Sequence, residues 1–171
     1  MKKTTLAVTA LLIAASPLIS QAEGVYGGLK LGAVNNSTND FDNATNIGLN
    51  GGYAFKDFGN GPAIEGEFTT TTTNGRITAT NAPPAHWNVD TYAIYGVYRM
   101  GGSLYGKMKL GYLHEKGYVS GLGPSFSGDD NGVSFGIGGG WSLMSNISIE
   151  AEYTRIESDI DYLSLGVIYT F

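Results

Sequence analysis

Leu163-Ser164-Leu165-Gly166-Val167-Ile168-Tyr169-Thr170-Phe171 decides how this chain is read. Leu163, Leu165, Val167, Tyr169 and Phe171 take every odd position, with Ser164, Gly166, Ile168 and Thr170 between them. Successive side chains of a strand leave opposite faces, so alternation at period two predicts a strand with one oily face.

The same pattern recurs upstream. Ile147, Ile149, Ala151 and Tyr153 oppose Ser148, Glu150, Glu152 and Thr154, and Val133, Phe135, Ile137, Gly139 and Trp141 oppose Ser134, Gly136, Gly138 and Gly140. Leu104, Gly106, Met108, Leu110 and Tyr112 oppose Tyr105, Lys107, Lys109, Gly111 and Leu113. Three earlier strands follow over 62–72, 46–55 and 25–33, in which Ile64, Gly66 and Phe68 oppose Glu65 and Glu67, and Leu29 and Leu31 flank Lys30. Over 87–100 a further strand is expected, but neither Tyr92/Ile94/Tyr98 nor Ala93/Tyr95/Val97 stands out as the polar set.

Eight strands result, and their connections alternate in length. Short turns fall near 56–61, 100–103 and 143–146, while longer polar stretches fall near 35–45, 73–86, 114–131 and 155–161. Short turns at one end and long loops at the other, with an even strand number, describe an all-β, eight-stranded antiparallel up-and-down transmembrane β-barrel with both termini on the short-turn side.

Lys2 and Lys3, the apolar run from Leu6 to Ala15, and the small residues Ser20 and Ala22 form the three parts of a secretory signal peptide over 1–22, with cleavage expected between Ala22 and Glu23. Removing 22 of the 171 residues leaves a single barrel domain, 23–171. Processing takes Lys2 and Lys3 from the 10 basic residues, leaving 8 against 15 acidic ones. So acidic a chain lacks the basic footprint of a nucleic-acid binder. Without cysteine it has no disulfide, zinc–thiolate or thiol-nucleophile chemistry. Its 26 glycines, spread through nearly every segment, oppose long helices, each interior glycine costing about 1 kcal/mol against alanine.

Alternation alone does not distinguish a soluble, lipocalin-like barrel from a membrane barrel. The charges do. Lys30, Glu65, Glu67, Lys107, Lys109, Glu150 and Glu152 all lie opposite the apolar face, and in hydrocarbon a sheet survives only when closed on itself, with its oily face outward. The aromatics Phe55, Phe58, Tyr98, Tyr105, Trp141 and Phe171 near the turns, and Trp87, Tyr92, Tyr112, Tyr153 and Tyr162 towards the loops, are expected to form two interfacial girdles.

The pattern resembles the small outer-membrane barrels of the OmpX/OmpA transmembrane-domain type, a porin-like outer membrane protein beta-barrel domain family. The alternating end at Leu163, Leu165, Val167, Tyr169 and Phe171 looks like the signal read by the outer-membrane insertion machinery. Tyr95-Gly96-Val97-Tyr98-Arg99-Met100 with Leu104-Tyr105-Gly106-Lys107 and Leu110-Gly111-Tyr112 looks like that family's central hairpin. The resemblance implies a multi-pass outer-membrane protein handled by periplasmic chaperones and seated among lipopolysaccharide, and an interior ion network that plugs the lumen.

Three functions are compatible with that architecture. The first is a structural or adhesive barrel, expected to be monomeric, whose loops at 73–86 and 114–131 contact lipopolysaccharide or a host or cell-surface ligand, since loops on a rigid scaffold carry such function. The second is a narrow pore or small-solute carrier. A lipid-modifying enzyme is third; it would need His114 with Glu115 and Ser120, or His86 with a distant serine, and neither spacing matches a triad family. No catalytic role and no cofactor are expected. The glycines from Gly132 to Gly140 lie in a strand rather than opening a helix, which argues against a phosphate loop. Asp40/Asp42, Asp129/Asp130 and Asp159/Asp161 offer oxygen ligands for a hard cation, but acidic turns are commonly just solvated.

Overall fold

The computed structural model describes residues 24–36, 44–73, 75–77, 85–120, 126–156 and 160–171. Among these described residues nine strands run in order: β1 Val25–Asn36, β2 Ala44–Ala54, β3 Gly61–Thr73, β4 Gly75–Ile77, β5 Ala85–Gly101, β6 Leu104–Ser120, β7 Phe126–Ser142, β8 Ile147–Arg155 and β9 Ile160–Thr170. Every pairing is antiparallel. β3 pairs with β5, β1 with β9, and the sheet closes. β4 also pairs with β5 and prolongs β3, so the barrel has eight staves and up-and-down order.

The Thr69–Thr73 tract marks the break in the third stave. The pairing of β2 with β3 shifts register between Thr45 and Asn46, and the Thr71 hydroxyl accepts from the Val89 amide at 2.9 Å. A side chain thus stands in for the backbone where a bulge interrupts the ladder. At the short turns, Gly61 and Gly101 hold positive φ, +133° and +148°, a region open to glycine and strained for other residues.

Faces invert relative to a soluble protein. Leu165 is 69% exposed and Ile94 66%, whereas Glu65 and Arg99 are fully buried. The fifth element is now resolved in phase. Ala93, Tyr95, Val97 and Arg99 point inward, and Tyr92, Ile94, Tyr98 and Met100 outward.

Three expectations need correction. Most of 114–131 is strand rather than loop, because β6 runs to Ser120 and β7 starts at Phe126. The stretch 73–86 likewise holds β4 and the start of β5. Beyond the hydrocarbon neither face need be apolar, so the period-two signal fades although backbone pairing continues. The girdles also lose members: Trp87, Tyr105 and Tyr162 are buried inside, and Phe58 is tucked under the barrel, its ring 4.9 Å from Tyr26 and 5.9 Å from Tyr105. Phe55, Tyr92, Tyr98, Tyr112, Trp141, Tyr153 and Phe171 do face outward.

Candidate functional site: a charge-balanced interior

Seen from the short-turn end, the interior is layered. The lowest layer is aromatic and small: Tyr26, Phe58 and Tyr105 with Ala54, Ala63 and Val97. An ionic layer lies above it. Val34, Ala44, Trp87, Val89, Leu113, Ile156 and Tyr162 close the long-loop end with apolar side chains.

The ionic layer gathers all seven charges singled out in the sequence, and one more. Its lower tier holds Arg99, Lys107, Glu65 and Glu150. Arg99 Nε lies 3.0 Å from Glu150 Oε1 and its Nη2 3.2 Å from Glu65 Oε2. Lys107 Nζ lies 3.0 Å from Glu65 Oε1 and 2.9 Å from Glu150 Oε2. The upper tier holds Lys30, Lys109, Glu67 and Glu152. Glu67 receives both lysines, Lys109 at 2.9 Å, and Glu152 Oε1 lies 2.8 Å from Lys30 and 2.6 Å from Lys109. Lys107 joins the tiers through Glu152 Oε2.

Eight charged groups, four of each sign, therefore cancel in a space where none has more than 4% of its side chain exposed. A buried charge is tolerable when paired and hydrogen-bonded. Three hydroxyls add hydrogen bonds to these carboxylates: Tyr26 donates to Glu65 Oε2 at 2.9 Å, Tyr105 to Glu150 Oε1 at 3.0 Å and Thr154 to Glu152 Oε1 at 3.0 Å. Arg99 also stacks its guanidinium over Phe58, 4.2 Å from the ring centre, and Lys109 lies 4.1 Å over Tyr95.

The inward glycines of β7 make room for these side chains. A Cβ on Gly140 would strike the Tyr105 ring, and one on Gly136 would meet Lys109 and Thr154. They lie within a strand beside the ion network, and no helix follows them.

Arg99 was missed by the sequence reading, as were the hydroxyls of Tyr26, which accepts from Arg99 Nη1 at 3.4 Å, and Tyr105, which donates to Glu150. A signal existed. Arg99 is the sole charged residue between Thr91 and Gly101, it shares the parity of Ala93, Tyr95 and Val97, and a cation within a membrane strand belongs inside.

Among the other singled-out residues, His114 lies on the outward parity of β6, with Nδ1 2.8 Å from Asn131 Oδ1. Glu115, next in the strand, leaves the opposite face, and Ser120 is six residues beyond His114, roughly 20 Å in an extended chain. His86 sits opposite Ser120 in the β5/β6 register. Asp129 and Asp130 are consecutive in β7, so their side chains diverge and do not chelate together; Asp161 pairs with Arg155 at 3.0 Å. No group of three potential metal ligands occurs among the described residues. Asp40, Asp42, Asp159 and the Ala22/Glu23 cleavage site lie outside them.

At the closing seam Leu163, Leu165, Val167 and Tyr169 of β9 face outward opposite Ala33, Leu31, Leu29 and Gly27 of β1. The Phe171 amide extends this pairing by donating to Val25 O at 2.9 Å, and its ring meets Tyr169 edge-on at 5.0 Å.

Several solved structures share this fold. The attachment invasion locus protein Ail of Yersinia pestis is 22% identical, with a TM-score of 0.60 over 88% of this chain and 100% of that one. Neisserial surface protein A is 14% identical, with a TM-score of 0.62 over 86% and 96%. OprG of Pseudomonas aeruginosa is 11% identical, with a TM-score of 0.61 over 87% and 97%. At such identities the likeness is one of architecture. No curated protein matches the sequence. The outer membrane protein beta-barrel domain profile matches residues 4–171, and the chain belongs to that outer-membrane family.

Proposed function

We infer that this protein is a plugged, non-enzymatic outer-membrane barrel whose role is structural and adhesive, exerted through the part that stands outside the membrane. The observation that carries this reading is the four-against-four ion network sealed between an aromatic layer and an apolar one. An eight-stranded barrel has room for side chains or one small ligand, and here side chains occupy it. Reconstituted into planar bilayers, the purified barrel is expected to give no stable conductance steps. Reproducible openings would replace the plug with a pore.

The surface half of the reading rests on β5, β6 and β7, each 17 residues long against 9 for β8. Their excess length lifts a sheet beyond the rim. Charge there is acidic, with Asp90, Glu115, Asp129, Asp130 and Asp161 against Arg76, Lys116 and Arg155 among the described residues. Ail has been crystallised in complex with the heparin analogue sucrose octasulfate, which supports contact with a surface ligand for barrels of this shape. In this chain the ligand would carry the opposite charge.

In this reading residues 1–22 direct export and are removed before Glu23. The β9 end, from Leu163 to Phe171, presents itself to the insertion machinery after delivery by periplasmic chaperones, and the monomeric barrel sits among outer-membrane lipid and lipopolysaccharide. Glu115 and Asp130 face each other across the β6/β7 ladder, so residues 116–129 can be replaced by an Asn-Gly hairpin turn. Cells expressing that shortened barrel should lose attachment to surfaces or partner cells. Attachment unchanged from the full barrel would remove the contact role.

A further inference from the structure

Arg99 stands two residues before the end of β5, at the short-turn end, and yet it is fully buried. Much of its cover comes from the turn between β2 and β3. The guanidinium carbon lies 4.2 Å from the centre of the Phe58 ring and 4.8 Å from that of Tyr26. Phe58 itself is half-buried, so this ring is the boundary between the lowest cation and solvent.

The wall alone does not close this end. Tyr26 of β1 and Tyr105 of β6 stand on opposite staves, with β2, β3 and β5 between them on one side and β9, β8 and β7 on the other. On the first arc Ala54, Ala63 and Val97 lie side by side in register and point inward, too short to reach the barrel axis. Phe58 packs against this layer and bridges the two tyrosines, edge-on to each, at 72° and 89°.

The turn is shaped to carry the ring there. The Asn60 amide donates to Asp57 O at 2.9 Å, and Gly59 lies so close to the β5/β6 turn that a Cβ on it would come within 2.4 Å of Gly102 O. Lys56, Asp57 and Asn60 are exposed, so the polar side chains of the turn meet water while its one ring enters the barrel. The Phe55 amide, donating to Pro62 O at 3.0 Å, makes the last bond of the β2/β3 pairing before the turn. Residues 56–60 can therefore move without unpairing the strands.

We propose that residues 56–60 are a lid on the short-turn end of the lumen, the periplasmic end of such barrels, with Phe58 as its stopper. Seated, the ring keeps water from Arg99 and the rest of the lower charge tier. Lifted, it admits water and small solutes to that tier, while the apolar layer at the long-loop end still blocks passage. This rests on the plugged lumen argued above and assigns the seal at one end to a single side chain.

The chain has no cysteine, so one introduced thiol reports on the lid in the intact barrel in lipid nanodiscs. Ala63→Cys places a thiol in the layer behind the ring, and Ala44→Cys places one in the apolar layer at the other end. Iodoacetamide should alkylate the first slowly in the parent barrel and at least about tenfold faster once Phe58→Ala is added, because loss of the ring contacts raises the share of molecules open at that end. Gly59→Ala keeps the ring but forces the turn away from Gly102, and should accelerate the reaction as well. The rate at Ala44→Cys should not move, and the Phe58→Ala barrel should give no conductance steps in planar bilayers. A rate at Ala63→Cys that ignores either change overturns the lid. So does a matching acceleration at Ala44→Cys, which would mean general loosening of the barrel. Openings in the Phe58→Ala barrel alone would overturn a lid that acts at one end only and leave the plugged parent standing; openings in the parent barrel would overturn the plugged reading itself.

Discussion

Lys107 Nζ lies 2.9 Å from Glu152 Oε2, and this contact ties the lower charge tier to the upper one. Lys107 also reaches Glu65 and Glu150, so three carboxylates depend on one ammonium. Removing one partner of a buried pair leaves the other charge uncompensated, at a cost of about 3–5 kcal/mol. Lys107→Met should accordingly lower the denaturant midpoint of the refolded barrel by an amount in that range. Glu65→Gln strands fewer partners and should cost less. Unchanged unfolding for both variants would mean that the network does not stabilise the barrel.

Arg99 is the fourth cation of the balance, and its removal leaves four carboxylates facing three lysines. Arg99→Met should destabilise about as much as Lys107→Met, whereas Arg99→Met combined with Glu65→Gln restores neutrality and should recover part of the loss. That sign is the informative part, because contacting groups in one network are non-additive. A double variant worse than the sum of the two single variants would show that packing of the guanidinium over Phe58, rather than charge, is what Arg99 contributes.

The barrel was legible in the sequence wherever the membrane imposes chemistry on it. Leu165 and Val167 must be apolar because lipid lies outside, and Lys107 and Glu152 must face inward for the same reason, so alternation reveals both faces at once. Legibility fails in two places. Within β5 the inward set contains Ala93, Tyr95 and Val97, residues as oily as the outward Ile94 and Tyr98, and only Arg99 breaks the tie. Above the rim, from His114 to Ser120 and from Phe126 to Asn131, water wets both faces, and the strands continue without an apolar stripe to announce them. Aromatic residues misled for a related reason: Trp87, Tyr105 and Tyr162 fill the lumen or its ends, and position along a strand does not reveal face.

Glycine tolerance should follow the face. A Cβ at Gly140 would drive into the Tyr105 ring, which is held by its bond to Glu150. At Gly66, on the lipid face, the nearest atom would be Gly51 O at 3.9 Å. Overpacking a filled interior costs about 1–3 kcal/mol, so Gly140→Ala should lower the denaturant midpoint while Gly66→Ala leaves it unchanged or raises it slightly. Equal loss at both positions would argue that strand geometry, not lumen crowding, selects glycine here.

Leu165 sits at the middle of β9 with 69% of its surface exposed, beside Val167 and opposite Leu31 of β1 and Ala151 of β8. If that surface meets hydrocarbon, a cation there is opposed by the low dielectric, at about 2–4 kcal/mol for Arg or Lys at the bilayer midplane. Leu165→Arg should therefore destabilise the barrel in lipid vesicles by about that amount. The same change at Val133, which lies nearer the long-loop rim, should cost less, because the penalty falls towards the interface. The gradient separates a lipid-facing surface from one that meets water. An exposed arginine in water costs almost nothing at either position, so a flat, near-zero response at both would place the oily face outside the membrane and take the inverted arrangement of the barrel with it.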